Sequence, residues 1–463
     1  MKRIIALLLA CVFIMSMLSA CGKNDAKDKP EGTTAGDGKE EVPDVPEVTD
    51  DPNVKVINIY SFTVEVPDMV TKYKDLHPDF PYEIKTTVVA TTDGAYQPAL
   101  DAALSGGGAD APDIYCAESA FVMKYTQGDA YKYAAAYEDL GIDDVDGKIQ
   151  AGEIAPYTVD IGTNPDGKVV GLGYQATGGA FIYRRSIAKD VWGTDDPATI
   201  KGKIGPGWDK FFVAAEELKA KGYGIISGDG DLWHAVENSS DKGWVVDGKF
   251  TIDPKREEFL DLSKKLKDND YHNDTQDWQD AWFADMQDTG AKKILGFFGP
   301  AWLINYVMAS NSGDTFGDWA VCEPPVGFFW GGTWVIANKD TKLKKTVGEL
   351  IEWITLDTSE QGLQYSWANG LMNEAGTKDA VASGVVMKKS DGSVDFLGGQ
   401  NMFEAFIPAG EFANGKNLTQ YDETINLNWR NIVREYTAGT KTREQAVEDI
   451  KQYVRDNMDV VVE

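Results

Sequence analysis

The alternation of strand and helix patterns predicts an α/β protein with more than one sheet. Three observations carry this. Residues 54–116 read as strand, helix, strand, helix, strand; a second series of the same kind follows residue 166; and the 463 residues suffice, at about 150 per domain, for two or three folding units. Residues 56–60 (Val-Ile-Asn-Ile-Tyr) give the first strand, 67–76 a helix and 82–89 a second strand. Tyr96, Ala99, Leu100, Ala103 and Leu104 then recur at helical spacing until Gly106-Gly107-Gly108 stops them, and 112–116 form the next buried strand. After the Asp166-Gly167 turn, 168–172 and 180–183 read as strands. Residues 208–221 read as a helix with Phe211, Phe212, Ala215 and Leu218 inward. Helical faces return at Phe259-Leu262-Leu266 and Val347-Leu350-Ile351-Ile354, and Thr442-Arg443-Glu444-Gln445 is a capping box that opens the last helix.

The N-terminus has its own pattern. Lys2 and Arg3 precede an apolar run over residues 4–17, and Leu18-Ser19-Ala20 leads into Cys21. This resembles a bacterial lipoprotein signal, which implies a signal peptide over residues 1–20 and lipidation, including palmitate, at Cys21; an ordinary secretory signal with a chance cysteine is the alternative. Residues 21–53 lack aromatic side chains and are crowded with Lys, Asp, Glu, Gly, Thr and Pro, so they bury too little apolar area to offset their ordering entropy. They are expected to form a disordered acidic tether with a reach on the order of 30 Å. The longest later apolar stretch, 294–309, is broken by Gly296, Gly299, Pro300 and Asn305, so the lipid is the one membrane attachment expected.

Charge and cysteine content exclude several classes. Lys+Arg number 45 against 74 Asp+Glu, and a net charge of −29 repels phosphate backbones, so nucleic acid is not an expected partner. Once Cys11 leaves with the leader and Cys21 takes lipid, Cys116 and Cys322 remain, either bridged to each other or as two buried thiols. His77, His234 and His272 lack metal-ligand spacing. Around Gly147, Asp144, Asp146, Ile149 and Glu153 follow a calcium-loop spacing, but Ile142 stands where the first ligand is needed, and an ordinary acidic loop is the competing explanation. With no phosphate-cradling glycine loop and no Gly-x-Ser-x-Gly, no cofactor and no metal are expected.

The aromatic content points elsewhere. Of 13 Trp, several stand beside glycines: Trp233 after Gly228-Asp229-Gly230-Asp231, Trp302 after Gly299-Pro300, and Trp330 and Trp334 around Gly331-Gly332. An indole packs well on the C–H face of a pyranose, whose hydroxyls need planar polar partners; burial in the core is the competing role. Glu118 and Ser119 follow the 112–116 strand, and Ser61, Phe62, Thr63 and Glu65 follow the first, where ligands gather in open α/β sheets. The competing role for both groups is to start the next helix.

Residues 56–62, Ala111-Pro112-Asp113-Ile114-Tyr115 with Glu118, residues 166–172, Phe298-Gly299-Pro300-Ala301-Trp302 and Gly331-Gly332-Thr333-Trp334 occur in this order over nearly the whole chain. Together they resemble the extracellular solute-binding proteins of family 1, the maltose-binding-like receptors of carbohydrate ABC transporters. The resemblance implies a two-lobed, type II periplasmic-binding-protein-like fold crossed three times, near Tyr174-Gln175, Gly331-Gly332 and Gly398-Gly399. Lobe I would hold 54–174 and 333–397, and lobe II 175–332 and 398–463. Ser61, Phe62, Thr63, Glu65 and Glu118 would line the first lobe's side of a cleft and Trp233, Trp302 and Trp330 would supply platforms and edges from the second, with Ser119 and Trp334 as further ligand-binding candidates from their sequence context. Gln175 would sit at the hinge, and Asn426 where an aromatic commonly reaches the ligand. At Ala301 the chain departs from the family, which often places the aromatic directly after Gly-Pro.

The function implied is not enzymatic. A lipid-anchored receptor on the extracellular face of the membrane, acting as a monomer, would capture an oligosaccharide and deliver it to the permease subunits of an ABC importer. The alternatives are a secreted lipoprotein glycoside hydrolase, which shares aromatic platforms and carboxylates, and a receptor for a peptide, polyamine or other non-sugar solute.

Overall fold

The computed structural model describes residues 47–91 and 94–463; the expected signal peptide, Cys21 and the tether up to residue 46 lie outside the described residues. The strands are β1 (Val56–Ser61), β2 (Glu83–Val88), β3 (Ile114–Glu118), β4 (Gly171–Gly173), β5 (Ala180–Arg184), β6 (Gly224–Ile226), β7 (Val245–Val246), β8 (Lys249–Phe250), β9 (Ile294–Gly299), β10 (Trp319–Cys322) and β11 (Thr333–Ala337). They form two main sheets, ordered β2-β1-β3-β11-β4 and β10-β5-β9-β6, plus the β7-β8 hairpin. In the first sheet β1 runs parallel to β2 and β3, while β11 is antiparallel to β3 and β4, with Val335 opposite both Cys116 and Leu172. In the second, β5 is antiparallel to β9 and β10, and β6 is parallel to β9.

Each sheet buries both faces, as the period-two alternation of its side chains requires. In the first sheet Ile57, Ile59, Ile114 and Cys116 pack with Val66, Met69 and Val70, whereas Tyr115, Ala117, Trp334 and Ile336 pack with Tyr96, Leu100, Tyr125 and Ile161. In the second, Phe181, Tyr183 and Phe298 share a core with Phe211, Phe259, Trp429 and Ile450, and Ile182, Phe297, Trp319 and Val321 belong to the opposite face. The C-terminal helices Asp422–Thr437 and Arg443–Asn457 thus complete the second lobe although they follow the whole of the first.

The chain passes between the lobes three times. It leaves β4 at Gly173 and enters β5 at Ala180, through Gln175; it leaves β10 at Cys322 and enters β11 at Thr333, through Gly331-Gly332. The third passage begins around Gly398-Gly399, where the carbonyl of Leu397 accepts from Arg185 Nη2 (3.0 Å) and the Gln400 amide pairs with Val321 through both its oxygen (2.9 Å) and its nitrogen (2.8 Å). Gln400 thereby satisfies backbone groups at the edge of β10 that a further strand would otherwise claim.

Several expectations shift. Residues 47–53, assigned from sequence to the tether, pack on the first lobe instead. The Asp50 carboxylate accepts from Lys345 N (2.9 Å), Thr346 Oγ1 (2.5 Å) and Tyr82 Oη (3.0 Å), capping the Lys344–Thr355 helix, and Asp51 N donates to Lys342 O (2.8 Å). Residues 168–170 are not strand: Asn164 Oδ1 accepts from the backbone N of Asp166 (3.0 Å) and Lys168 (2.9 Å), which prolongs the turn and delays β4 to Gly171. The acidic spacing around Gly147 falls in the helix Val145–Gly152, with Asp144 and Glu153 at its ends, and does not encircle a point as a calcium loop does. Cys116 in β3 and Cys322 in β10 are buried free thiols in different sheets, so the bridge is not formed.

Candidate functional site

The site is assembled where loops beyond strand ends meet helix faces from the other lobe. A cavity of about 200 Å³ is lined by Glu118-Ser119-Ala120 after β3, by His234, Glu237 and Asn238 on the helix Asp229–Ser239, by Phe329-Trp330-Gly331 on the second crossing, and by Asp422, Glu423, Asn426 and Arg430 on the helix Asp422–Thr437. Larger hollows of about 470 Å³ near Pro324–Gly327 and about 580 Å³ at Val54–Asn58 are lined by no indole, and one of about 430 Å³, which shares Asn238 with this cavity, has Trp208 alone. In the hollow at Val54–Asn58 the buried Asp113 carboxylate is already committed, to Asn58 N (2.9 Å) and Thr341 Oγ1 (2.6 Å).

Three indoles gather at the second crossing. Trp302 and Trp278 lie nearly parallel (8°) with centroids 6.2 Å apart, and Trp330 stands across them, 4.8 Å from Trp302 and 6.2 Å from Trp278. The carbonyl of Trp330 accepts from Trp302 Nε1 (3.1 Å). Gly331, at φ +74°, is needed here: a Cβ would strain the left-handed backbone and sit 3.4 Å from that same Nε1. Behind Trp330 the His234 imidazole stacks at 3.6 Å and 16°. Trp278 remains 50% exposed on a left-handed backbone (φ +66°), so its ring is available to solvent.

Electrostatics fix this arrangement. Asp277, next to Trp278, pairs with Arg430 and lies 3.4 Å from His234 Nε2. Burial alone would raise the Asp277 carboxyl, but His234 and the Arg430 charge outweigh it and hold the group well below the usual carboxylate range. Burial pushes the His234 imidazole under Trp330 down, against the pull of Asp277. On the opposite wall Glu118 accepts from Ser119 Oγ (2.7 Å) and Ala120 N (2.9 Å), yet burial still raises its carboxyl. Burial, against the pull of Arg256, pushes Glu237 up to about 7. A second acidic group lies at the first crossing: Glu65, raised by burial, accepts from Tyr174 Oη, and buried Asp379 is raised by burial and then by Glu65. Half-exposed Tyr306, four residues beyond Trp302, is held up by burial and by those same two carboxyls.

The residues expected from sequence divide accordingly. Glu118, Ser119, Trp330 and Asn426 line the cavity, and Trp302 adjoins Trp330. Asn426 is committed at both ends, accepting from Trp244 Nε1 (2.6 Å) and donating to Glu237 Oε1. Phe62 is half-buried, edge-on to Tyr96 (5.7 Å) and Phe121 (6.1 Å); Thr63 is exposed; Glu65 faces the first crossing, where Gln175 is buried opposite Val381.

Three do not serve as expected. Ser61 is wholly buried at the end of β1, its Oγ accepting from Thr63 N (3.3 Å). Trp334 is buried because it alternates inward on β11, its Nε1 donating to Thr158 O (2.9 Å). Trp233 is no loop platform: Asp229–Ser239 is a helix, and the indole, though it borders the cavity, is buried in the core against Phe259, 4.8 Å away. Trp278, His234, Glu237, Tyr306 and Arg430 were not foreseen. The signal for Trp278 was an indole in the polar run Gln276-Asp277-Trp278-Gln279, without the neighbouring glycine that marked the others.

Residues 61–361 match the family described as bacterial extracellular solute-binding protein. No curated protein matches the sequence. Among solved structures, an extracellular solute-binding protein of family 1 superposes with a TM-score of 0.71 at 18% identity, covering 87% of this chain and 99% of that one. The galacto-N-biose-/lacto-N-biose I-binding protein of the ABC transporter from Bifidobacterium longum, in complex with lacto-N-biose, gives 0.63 at 17% identity over 89% and 100%. An ABC substrate-binding protein from Listeria monocytogenes, in complex with cycloalternan, gives 0.60 at 16% over 87% and 99%. At these identities the likeness is one of fold.

Proposed function

The chain belongs to the bacterial extracellular solute-binding protein family, and on that premise we propose that it captures a carbohydrate between its lobes and presents it, intact, to the permease of an ABC importer. The observation that carries this is the group of Trp278, Trp302 and Trp330 beside a cavity walled by planar carboxyl and amide side chains. Flat indoles suit the C–H face of a sugar ring, and carboxylates accept from neighbouring hydroxyl pairs. Two of the structural neighbours hold carbohydrate ligands, which favours a sugar over a peptide or polyamine here. Membership of a binding-protein family and the carbohydrate complexes among the neighbours favour capture over hydrolysis.

Lipid attachment at Cys21, residence on the extracellular face of the membrane, delivery as a monomer and a preference for oligosaccharides belong to the same proposal, supported by the leader pattern and the family. Closure follows if the sugar touches both lobes in the closed form and one in the open form, since a ligand shifts a conformational equilibrium only by its differential affinity. Calorimetric titration against a glycan panel, with the bound glycan recovered and its mass checked, tests the proposal. Saturable binding with unchanged mass is expected; a panel without binding, or recovery of shortened glycans, overturns it.

A further inference from the structure

Resting on the carbohydrate reading, we infer that the captured solute carries a protonated amine, as an amino-substituted sugar does, held where Glu118, Glu237, Asp422 and Glu423 line the cavity. Among the described residues none of these four forms an ion pair; Arg430, the cation lining the same cavity, pairs with Asp277 and acts on Glu237 only through its charge. Behind them Arg256 lends its charge to Glu237 and Asp422, but its guanidinium packs over the Trp244 ring (4.8 Å) and donates to the Asn417 carbonyl (3.1 Å). One buried cation does not balance four carboxyls. Burial raises Glu118, Glu237 and Asp422, for the last two against the pull of Arg256, and a bound ammonium would favour their ionised forms.

An independent observation concerns hydrogen-bond polarity. Asn238 also lines the cavity and is only 5% exposed; its Nδ2 donates to the Phe329 carbonyl (2.7 Å), which fixes the amide and leaves Oδ1 without a partner. The donors that reach the four carboxyls come from Ser119 and Ala120 on Glu118, Gln97 on Glu423 (2.6 Å), Thr419 on Asp422 (2.5 Å) and Asn426 on Glu237, while Arg430 Nε and His234 Nε2, on the same cavity, are left without hydrogen-bond partners. Five acceptor side chains, the four carboxyls and Asn238, thus share one cavity with a single ion-paired guanidinium. A hydroxyl brings one donor and no charge to these acceptors, whereas an ammonium brings three donors and the missing charge.

The test is calorimetry on the full chain with neutral di- and trisaccharides, each beside its counterpart in which one hydroxyl is replaced by an amine and beside the N-acetylated form. An amino counterpart is expected to bind at least about tenfold more tightly than both others below the amine's pKa. That advantage should vanish above the amine's pKa and shrink in the Glu118→Gln/Glu423→Gln variant. The ligand comparison and its pH dependence are read on the unaltered protein, so a poorly folding variant does not decide the matter. Neutral glycans that bind while amino counterparts bind no more tightly, or an advantage that persists above the amine's pKa, overturn this inference and leave the carbohydrate reading standing. If no glycan of any kind binds, that reading falls and this inference with it.

Discussion

At the scale of single residues, two tryptophans of similar sequence context do opposite work. Trp330 is half-buried beside the cavity, so Trp330→Ala is expected to weaken glycan binding at least about tenfold in calorimetry with little change in melting temperature. Trp233 fills the core of the second lobe, so Trp233→Ala should cost about 3–5 kcal/mol of stability in denaturant unfolding. Glu237 gives a pH prediction. Its carboxyl moves from 4.5 to about 7 on folding, so between those values the folded chain holds a proton that the unfolded chain has released. The stability it contributes is complete below about 4.5 and lost as pH rises towards 7, an effect of roughly 3 kcal/mol by linkage. Glu237→Gln should flatten that part of the stability-pH curve measured by urea unfolding; an unchanged slope would remove the assignment. Glycine neighbours were legible in the sequence but ambiguous, since Gly230 lies in a helix, whereas Gly331 bends a crossing towards Trp302.

At the scale of elements, local chemistry was the most readable part. The capping box at Thr442 forms as its spacing requires, Thr442 Oγ1 accepting from Gln445 N (3.2 Å) and Gln445 Oε1 from Thr442 N (2.8 Å). Asp50 was not readable in this way: it caps a helix nearly three hundred residues away, and nothing in its acidic surroundings distinguishes it. Asp50→Ala should cost about 1 kcal/mol and speed amide exchange at Lys345 and Thr346; unchanged exchange there would mean that the cap carries no stability. The late start of β4 has a similar cause, because hydrophobic periodicity over 168–172 cannot see that the Asn164 side chain claims two of the backbone donors first.

For the whole molecule, alternation of strand and helix was enough for the α/β class, and the order of motifs for two lobes. The pairing of β11 between β3 and β4, and of the last helices with the second sheet, depends on contacts far apart in sequence that periodicity does not encode. If a sugar bridges the lobes, small-angle scattering should show a smaller radius of gyration on saturation with the glycan found by screening; an unchanged value would exclude closure. The placement of the two thiols has a practical corollary. Cys116 and Cys322 each sit sealed within the central β-structure of a different half, so a pulse of alkylating reagent during chemical denaturation, followed by peptide mass mapping, timestamps the opening of each half separately and needs no engineered reporter.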